Sequence, residues 1–187
     1  MGTPITDIGA LGGLVNLEIL YADGVGMNAN FNTIEPLREL TRLIHLDIAG
    51  RGISDIKPLG DLTELVLLGL SYNNLTEISS VSKMKKLIRL YIRLNKISDI
   101  TGIKNLENLD YLDAADNQIK DISELQYLPA IHLIGLGGNK IEDISPLVKN
   151  LNLGKGVYLY LNNNPLNEKS INEYIPILIA RGVTVYY

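Results

Sequence analysis

The chain has 187 residues, 46% of them apolar and 20% charged, with a net charge of −4. Acidic residues outnumber basic ones in both halves, which does not suit a nucleic-acid binder. The absence of cysteine excludes disulfide frameworks and thiolate chemistry, and no apolar run nears the roughly 18 residues of a membrane-spanning helix.

One segment recurs along the chain. Leu68 opens "LGLSYNNLTEI", Leu90 "LYIRLNKISDI", Leu112 "LDAADNQIKDI" and Ile134 "IGLGGNKIEDI". Aligned on the first apolar position, copies start at Leu17, Leu43, Leu65, Leu87, Leu109, Ile131 and, less cleanly, Gly156, with a strict period of 22 residues from Leu43 to Ile131. A fixed period of this size predicts stacked copies that make one elongated domain over 1–187, with a partial repeat at 1–16, repeats at 17–164 and a closing unit at 165–187.

The chain opens without a charged leader followed by an apolar stretch. Ile5, Ile8, Leu11 and Leu14 fit the second half of a copy, so the reading is of a trimmed start. The copy from Leu17 carries four extra residues near Gly26, Met27, Asn28, Ala29 and Asn30, placed in a loop after its strand. Within each copy apolar residues fall at positions 1, 4, 6, 11, 14, 17 and 20. The spacing of two between positions 4 and 6 predicts a strand with position 5 on the opposite face. Position 9 holds Asn73, Asn95, Asn117, Asn139 and Asn164, read as a buried ladder that satisfies the backbone where the chain turns; Arg51 and the region around Val25 break it. Ser79, Thr101, Ser123 and Ser145 stand where helix N-caps are expected, and Pro36, Pro58 and Pro146 occupy the next position. Apolar spacing of three there predicts short 3₁₀ turns. Position 13 holds Asp55, Glu77, Asp99, Asp121 and Asp143, read as turn caps on a solvated rim in preference to a calcium string. Near the end, Asn167 is expected to cap a helix with Ile171, Tyr174, Ile175, Leu178 and Ile179 on one face, broken by Pro176, before a last strand with Val183 and Val185 inward.

The pattern L-x-x-L-x-L-x-x-N-x-L and the recurring "NxIxDIxxL" resemble the bacterial internalin-like leucine-rich repeats and the related phosphatase-regulator type, over about residues 5 to 187. The resemblance implies an α/β solenoid: a right-handed superhelix with a concave parallel β-sheet and short 3₁₀ turns on the convex side. It also implies concave residues that grip another protein. The terminal "NNNPLNEKSINEYIPILIARGVTVYY" looks like the closing unit of such bacterial proteins, whereas their helical N-terminal cap has no counterpart in these residues.

The variable positions then carry the functional reading. Position 5 reads Tyr21, Asp47, Gly69, Tyr91, Asp113, Gly135, Tyr160, and position 3 reads Ile19, His45, Leu67, Arg89, Tyr111, Leu133, Tyr158. With Tyr72, Arg93 and Asp116 at the strand exits, this face is rich in Tyr and Arg, as interface hot spots are. The candidate partner-binding residues are Tyr21, His45, Asp47, Tyr72, Arg89, Tyr91, Arg93, Tyr111, Asp113, Asp116, Gly135, Tyr158 and Tyr160, with an apolar anchor of the partner expected over Gly135. Arg89 and Arg93 stand opposite Asp113 and Asp116 and can equally pair among themselves. No cofactor, metal or nucleotide site is expected, because the two histidines, His45 and His132, lie four copies apart and no clustered ligands or phosphate loop occur. The leading reading is a monomeric, non-catalytic module that binds a protein on its concave face. The alternatives are a glycan-binding surface, suggested by tyrosines beside Asp113, Asp116, Asn162 and Asn163, and an engineered scaffold. The compartment stays open, with a surface or secreted place within a larger protein set ahead of the cytoplasm.

Overall fold

The computed structural model describes residues 5–26 and 30–187, so the inserted loop expected at Met27, Asn28 and Ala29 lies outside the described residues. Eight three-residue strands form one parallel sheet in chain order: β1 (Ile19–Tyr21), β2 (His45–Asp47), β3 (Leu67–Gly69), β4 (Arg89–Tyr91), β5 (Tyr111–Asp113), β6 (Leu133–Gly135), β7 (Tyr158–Tyr160) and β8 (Thr184–Tyr186). Each repeat position pairs with the same position of the next copy, as Leu90 does with Leu112 and Leu112 with Ile134. The fold is the α/β leucine-rich repeat solenoid that the resemblance implies.

Burial explains the register. The position-4 and position-6 side chains of the regular copies, Leu68, Leu70, Leu90, Ile92, Leu112, Ala114, Ile134 and Leu136, are wholly buried and join the turn residues in one continuous core. A one-residue slip would turn this row out to water, at about 1.5–3 kcal/mol for each large side chain.

The asparagine ladder is present. Asn117 Nδ2 donates to the carbonyls of Ile92, Ala114 and Ala115, and its Oδ1 accepts from Ile97 N–H. Asn73 and Asn139 bond in the same way and are buried with it, while Asn95 and Asn164 are half-buried. Arg51, at the ladder position of its copy, is also buried. Its guanidinium reaches back to the carbonyls of Ala22, Asp23 and Ile5 and lies over the Phe31 ring at 4.6 Å, fastening the irregular first copy to the second.

The turns are 3₁₀ from Gly9–Gly13 through Ser123–Tyr127, but Ser145–Lys149 is an α-helical turn, α1. Their caps differ from the expectation in one respect. The Ser and Thr side chains do not cap; the position-13 carboxylates do. Asp55, Glu77, Asp99, Asp121 and Asp143 each accept the backbone N–H two residues on. That bond explains the acidic row without a metal.

The closing unit is in two helical pieces that meet beside Pro176, the first of them a π-turn. Asn167 Oδ1 accepts from Ser170 N–H, a π-turn runs Ser170–Tyr174, and α2 (Ile175–Ala180) starts with Pro176 in its first turn. Ile175 and Leu178 are buried and Tyr174 is half-buried, whereas Ile171 and Ile179 are exposed. Val183 is buried and Val185 half-buried, as expected. Asn150 stands at position 20, where other copies carry an apolar residue, and its amide bonds the carbonyls of Leu125 and Leu128.

Candidate functional site

The register sets one row of position-5 side chains across the open face of the sheet, in the order Tyr21, Asp47, Gly69, Tyr91, Asp113, Gly135, Tyr160, Tyr186. Neighbours in this row stand about 4.8 Å apart. Position 3 makes a parallel row through His45, Arg89, Tyr111 and Tyr158.

Aromatic contacts organise both rows. The Tyr91 and Tyr111 rings lie 5.0 Å apart at 41°, and Tyr160 stacks on Tyr186 at 4.7 Å and 6°. At the other end, the Tyr21 hydroxyl and His45 Nδ1 are 3.1 Å apart. Sequence reading missed Tyr186. The signal was the inward pair Val183 and Val185, whose alternation puts Tyr186 on the open face.

Between the two tyrosine groups lies a depression of about 350 Å³, lined among others by Arg93, Tyr111, Asp113, Asp116, Gly135 and Tyr160. Gly137, Gly138, Asn162 and Asn163 complete its strand-exit side. Six of the expected residues therefore converge, with Tyr91 packed behind Tyr111. Tyr21, His45 and Asp47 lie elsewhere, on β1 and β2, roughly 10 Å or more away. Tyr158 is exposed on β7 outside the depression, and Tyr72 is exposed at the exit of β3, four copies before Tyr158.

The charges divide into two kinds. Arg93 Nη2 and Asp116 Oδ2 form an ion pair at 2.8 Å, about half in solvent, so this pair does close on itself. Asp113 makes no ion pair among the described residues. Its Oδ1 accepts Ala115 N–H at 3.2 Å, and its side chain leans over Gly135. The floor is thus roofed at one side by a carboxylate, so the apolar anchor expected there meets a polar wall. Burial first, and then the Asp113 carboxylate, hold the Tyr111 phenol above the ordinary tyrosine value.

The strand exits carry a second shared feature. Position 8 is left-handed at Gly50, Tyr72, Leu94, Asp116, Gly138 and Asn163, with φ between 54° and 68°. Glycine and asparagine suit that conformation; Leu94 and Tyr72 hold it at a cost.

The two histidines occupy separate places, His132 Nδ1 meeting Asp110 Oδ1 on the exposed lead into β6. Among the described residues no group of His, Cys, Asp and Glu is arranged to hold a metal ion.

The leucine-rich repeat pattern, in two copies, matches residues 107–153. The chain is similar to internalin C2 of Listeria monocytogenes, at 26% identity and a TM-score of 0.83, over 98% of this chain and 77% of that one. It is similar to a second internalin of the same organism, InlF, at 27% identity and a TM-score of 0.71, over 98% of this chain and 60% of that one. At 18% identity, with a TM-score of 0.66, it shares its fold with the leucine-rich repeat ectodomain of the receptor kinase GASSHO1/SCHENGEN3 from Arabidopsis thaliana. That structure is a complex with Casparian strip integrity factor 2, and the match covers 85% of this chain and 20% of that one. No curated protein sequence matches the chain.

Proposed function

From its place as a leucine-rich repeat protein of the 22-residue, bacterial internalin-like type, we propose that the chain is a non-catalytic module that binds a protein partner on the open face of its sheet. Leucine-rich repeats serve generally as protein-interaction modules, and the receptor ectodomain with its bound factor is one example among the structural neighbours. The observation that carries the reading for this chain is the arrangement of tyrosines. Tyr91 with Tyr111 and Tyr160 with Tyr186 flank one depression, and tyrosine offers broad apolar contact with a hydroxyl that tolerates water.

The test is capture of a partner from the cells that make the protein, with wild type beside a Tyr91→Ala, Tyr111→Ala double variant and a turn-side Lys104→Glu variant. Loss of at least tenfold in the double variant alone supports the open face. Unchanged capture by the double variant, or loss in Lys104→Glu alone, removes it.

Glycan binding is the second reading, favoured by Asn162 and Asn163 joining the tyrosines and Asp113 around the same depression. A glycan array that stays blank at high protein concentration rejects it.

A further inference from the structure

The position-5 row repeats itself. Tyr21, Asp47 and Gly69 are followed in register by Tyr91, Asp113 and Gly135, and then by Tyr160. In each unit the aspartate leans across the glycine of the next strand, while its Oδ1 accepts the N–H two residues on, from Ala49 in the first and Ala115 in the second. Both aspartates are half-buried, and among the described residues neither forms an ion pair. Each glycine thus lies between an unneutralised carboxylate on one side and a tyrosine ring on the other, Tyr91 beside Gly69 and Tyr160 beside Gly135. Gly135 borders the depression, and over Gly69 the Asp47 carboxylate stands where a side chain would begin. A carboxylate and an aromatic ring side by side are the two groups that hold a cationic side chain.

Resting on the reading of the open face as a protein-binding surface, we propose that these are two seats for basic side chains, and that they receive an extended segment of a partner with arginine or lysine at i and i+4. The spacing selects that pattern. The seats are three strands apart, roughly 14 Å. In an extended chain residues i and i+4 point to the same side and lie roughly 14 Å apart. On a helix the residues sharing a face fall at roughly 10 Å for i+7 and 16 Å for i+11, and neither fits. Between the seats stand Arg89 and Arg93, the latter paired with Asp116. Arg89 forms no ion pair among the described residues and repels a third cation at i+2, so the surface reads spacing and not charge alone.

The test titrates the protein with the peptide acetyl-Ser-Arg-Thr-Val-Thr-Arg-Ser-amide, whose arginines are at i and i+4. Controls carry the two arginines at i and i+2, at i and i+3, or one arginine only. The i, i+4 peptide is expected to bind at least tenfold tighter than each control and to shift the Gly69 and Gly135 amide resonances together. Asp47→Asn and Asp113→Asn keep the acceptor for Ala49 and Ala115, so both variants should fold, and each is expected to lower affinity for the i, i+4 peptide to that of the single-arginine peptide. Gly135→Arg, which sets a guanidinium beside Asp113, is expected to do the same. Equal affinity at all spacings, wild-type binding by the two Asn variants, or no binding at millimolar peptide overturns the proposal. Tyrosine-dependent capture of a partner that survives both Asn changes would overturn the seats and leave the open-face reading standing.

Discussion

The Tyr91 and Tyr111 rings meet at 5.0 Å on adjacent strands, and Tyr111 is the tyrosine that burial and Asp113 hold above its ordinary value of 10.0. In a spectrophotometric titration of the folded protein, Tyr111 should ionise above the ordinary tyrosine value, and Tyr111→Phe should remove that component. A raised value means the folded state favours the neutral phenol. The associated stability is therefore complete below the ordinary value and is lost as pH rises through the raised one. Asp113→Asn should bring the Tyr111 ionisation down without erasing its displacement, because burial is the larger cause.

The ladder predicts a large loss from a small change. Asn117→Ala removes the donor to three carbonyls and strands the Ile97 N–H, at a cost of about 2–4 kcal/mol in urea unfolding. Asn117→Asp should cost as much, since a carboxylate cannot donate. If Asn117→Asp unfolds at the wild-type midpoint, the amide bonds are not what holds the copies together.

At position 8 the sign reverses. Leu94 holds φ 54°, so Leu94→Gly should stabilise the fold by about 0.5–1 kcal/mol, the relief of left-handed crowding exceeding the added freedom of the unfolded chain. Ala115→Gly, one position earlier in the next copy and not left-handed, should destabilise by about 0.5–1 kcal/mol. Thermal unfolding of the pair checks both; shifts in the same direction contradict the backbone account.

The caps predict an acid limb. The Thr101 side chain and then its N–H, donating to Asp99, hold that carboxyl below its ordinary 3.8. A lowered value gives stability that is complete above the ordinary value and is lost as pH falls through the lowered one. Asp99→Ala should therefore cost about 0.5–1 kcal/mol near neutral pH, with the gap to wild type narrowing in acid. A gap that stays constant in acid would show that the carboxylate charge is not involved.

The repeat, the strands, the ladder and the acidic caps were legible because each recurs at a fixed spacing and each answers a local backbone need. The open face was legible as a set of residues from alternation alone. What alternation leaves undetermined is where side chains lean: that Asp113 crosses to Gly135 while Asp116 closes on Arg93 depends on backbone direction at the strand exits. The apolar anchor over Gly135 was read from the glycine's small size without that carboxylate. The irregular elements were hardest to read. Arg51 as a tether, Asn150 in an apolar slot and the π-turn at Ser170–Tyr174 occur once each, so no repetition marks them.

The proposed function requires the open face of the sheet to meet a protein partner. The chain has no cysteine, so a single introduced cysteine carries a benzophenone at one known place. Asn162→Cys puts it on the depression, and Lys104→Cys puts it on the turn side. In extract of the producing cells, the expected result is a protein crosslinked from Asn162→Cys that is displaced by excess wild type and not by the Tyr91→Ala, Tyr111→Ala variant. The same protein crosslinked from Lys104→Cys and absent from Asn162→Cys would contradict it.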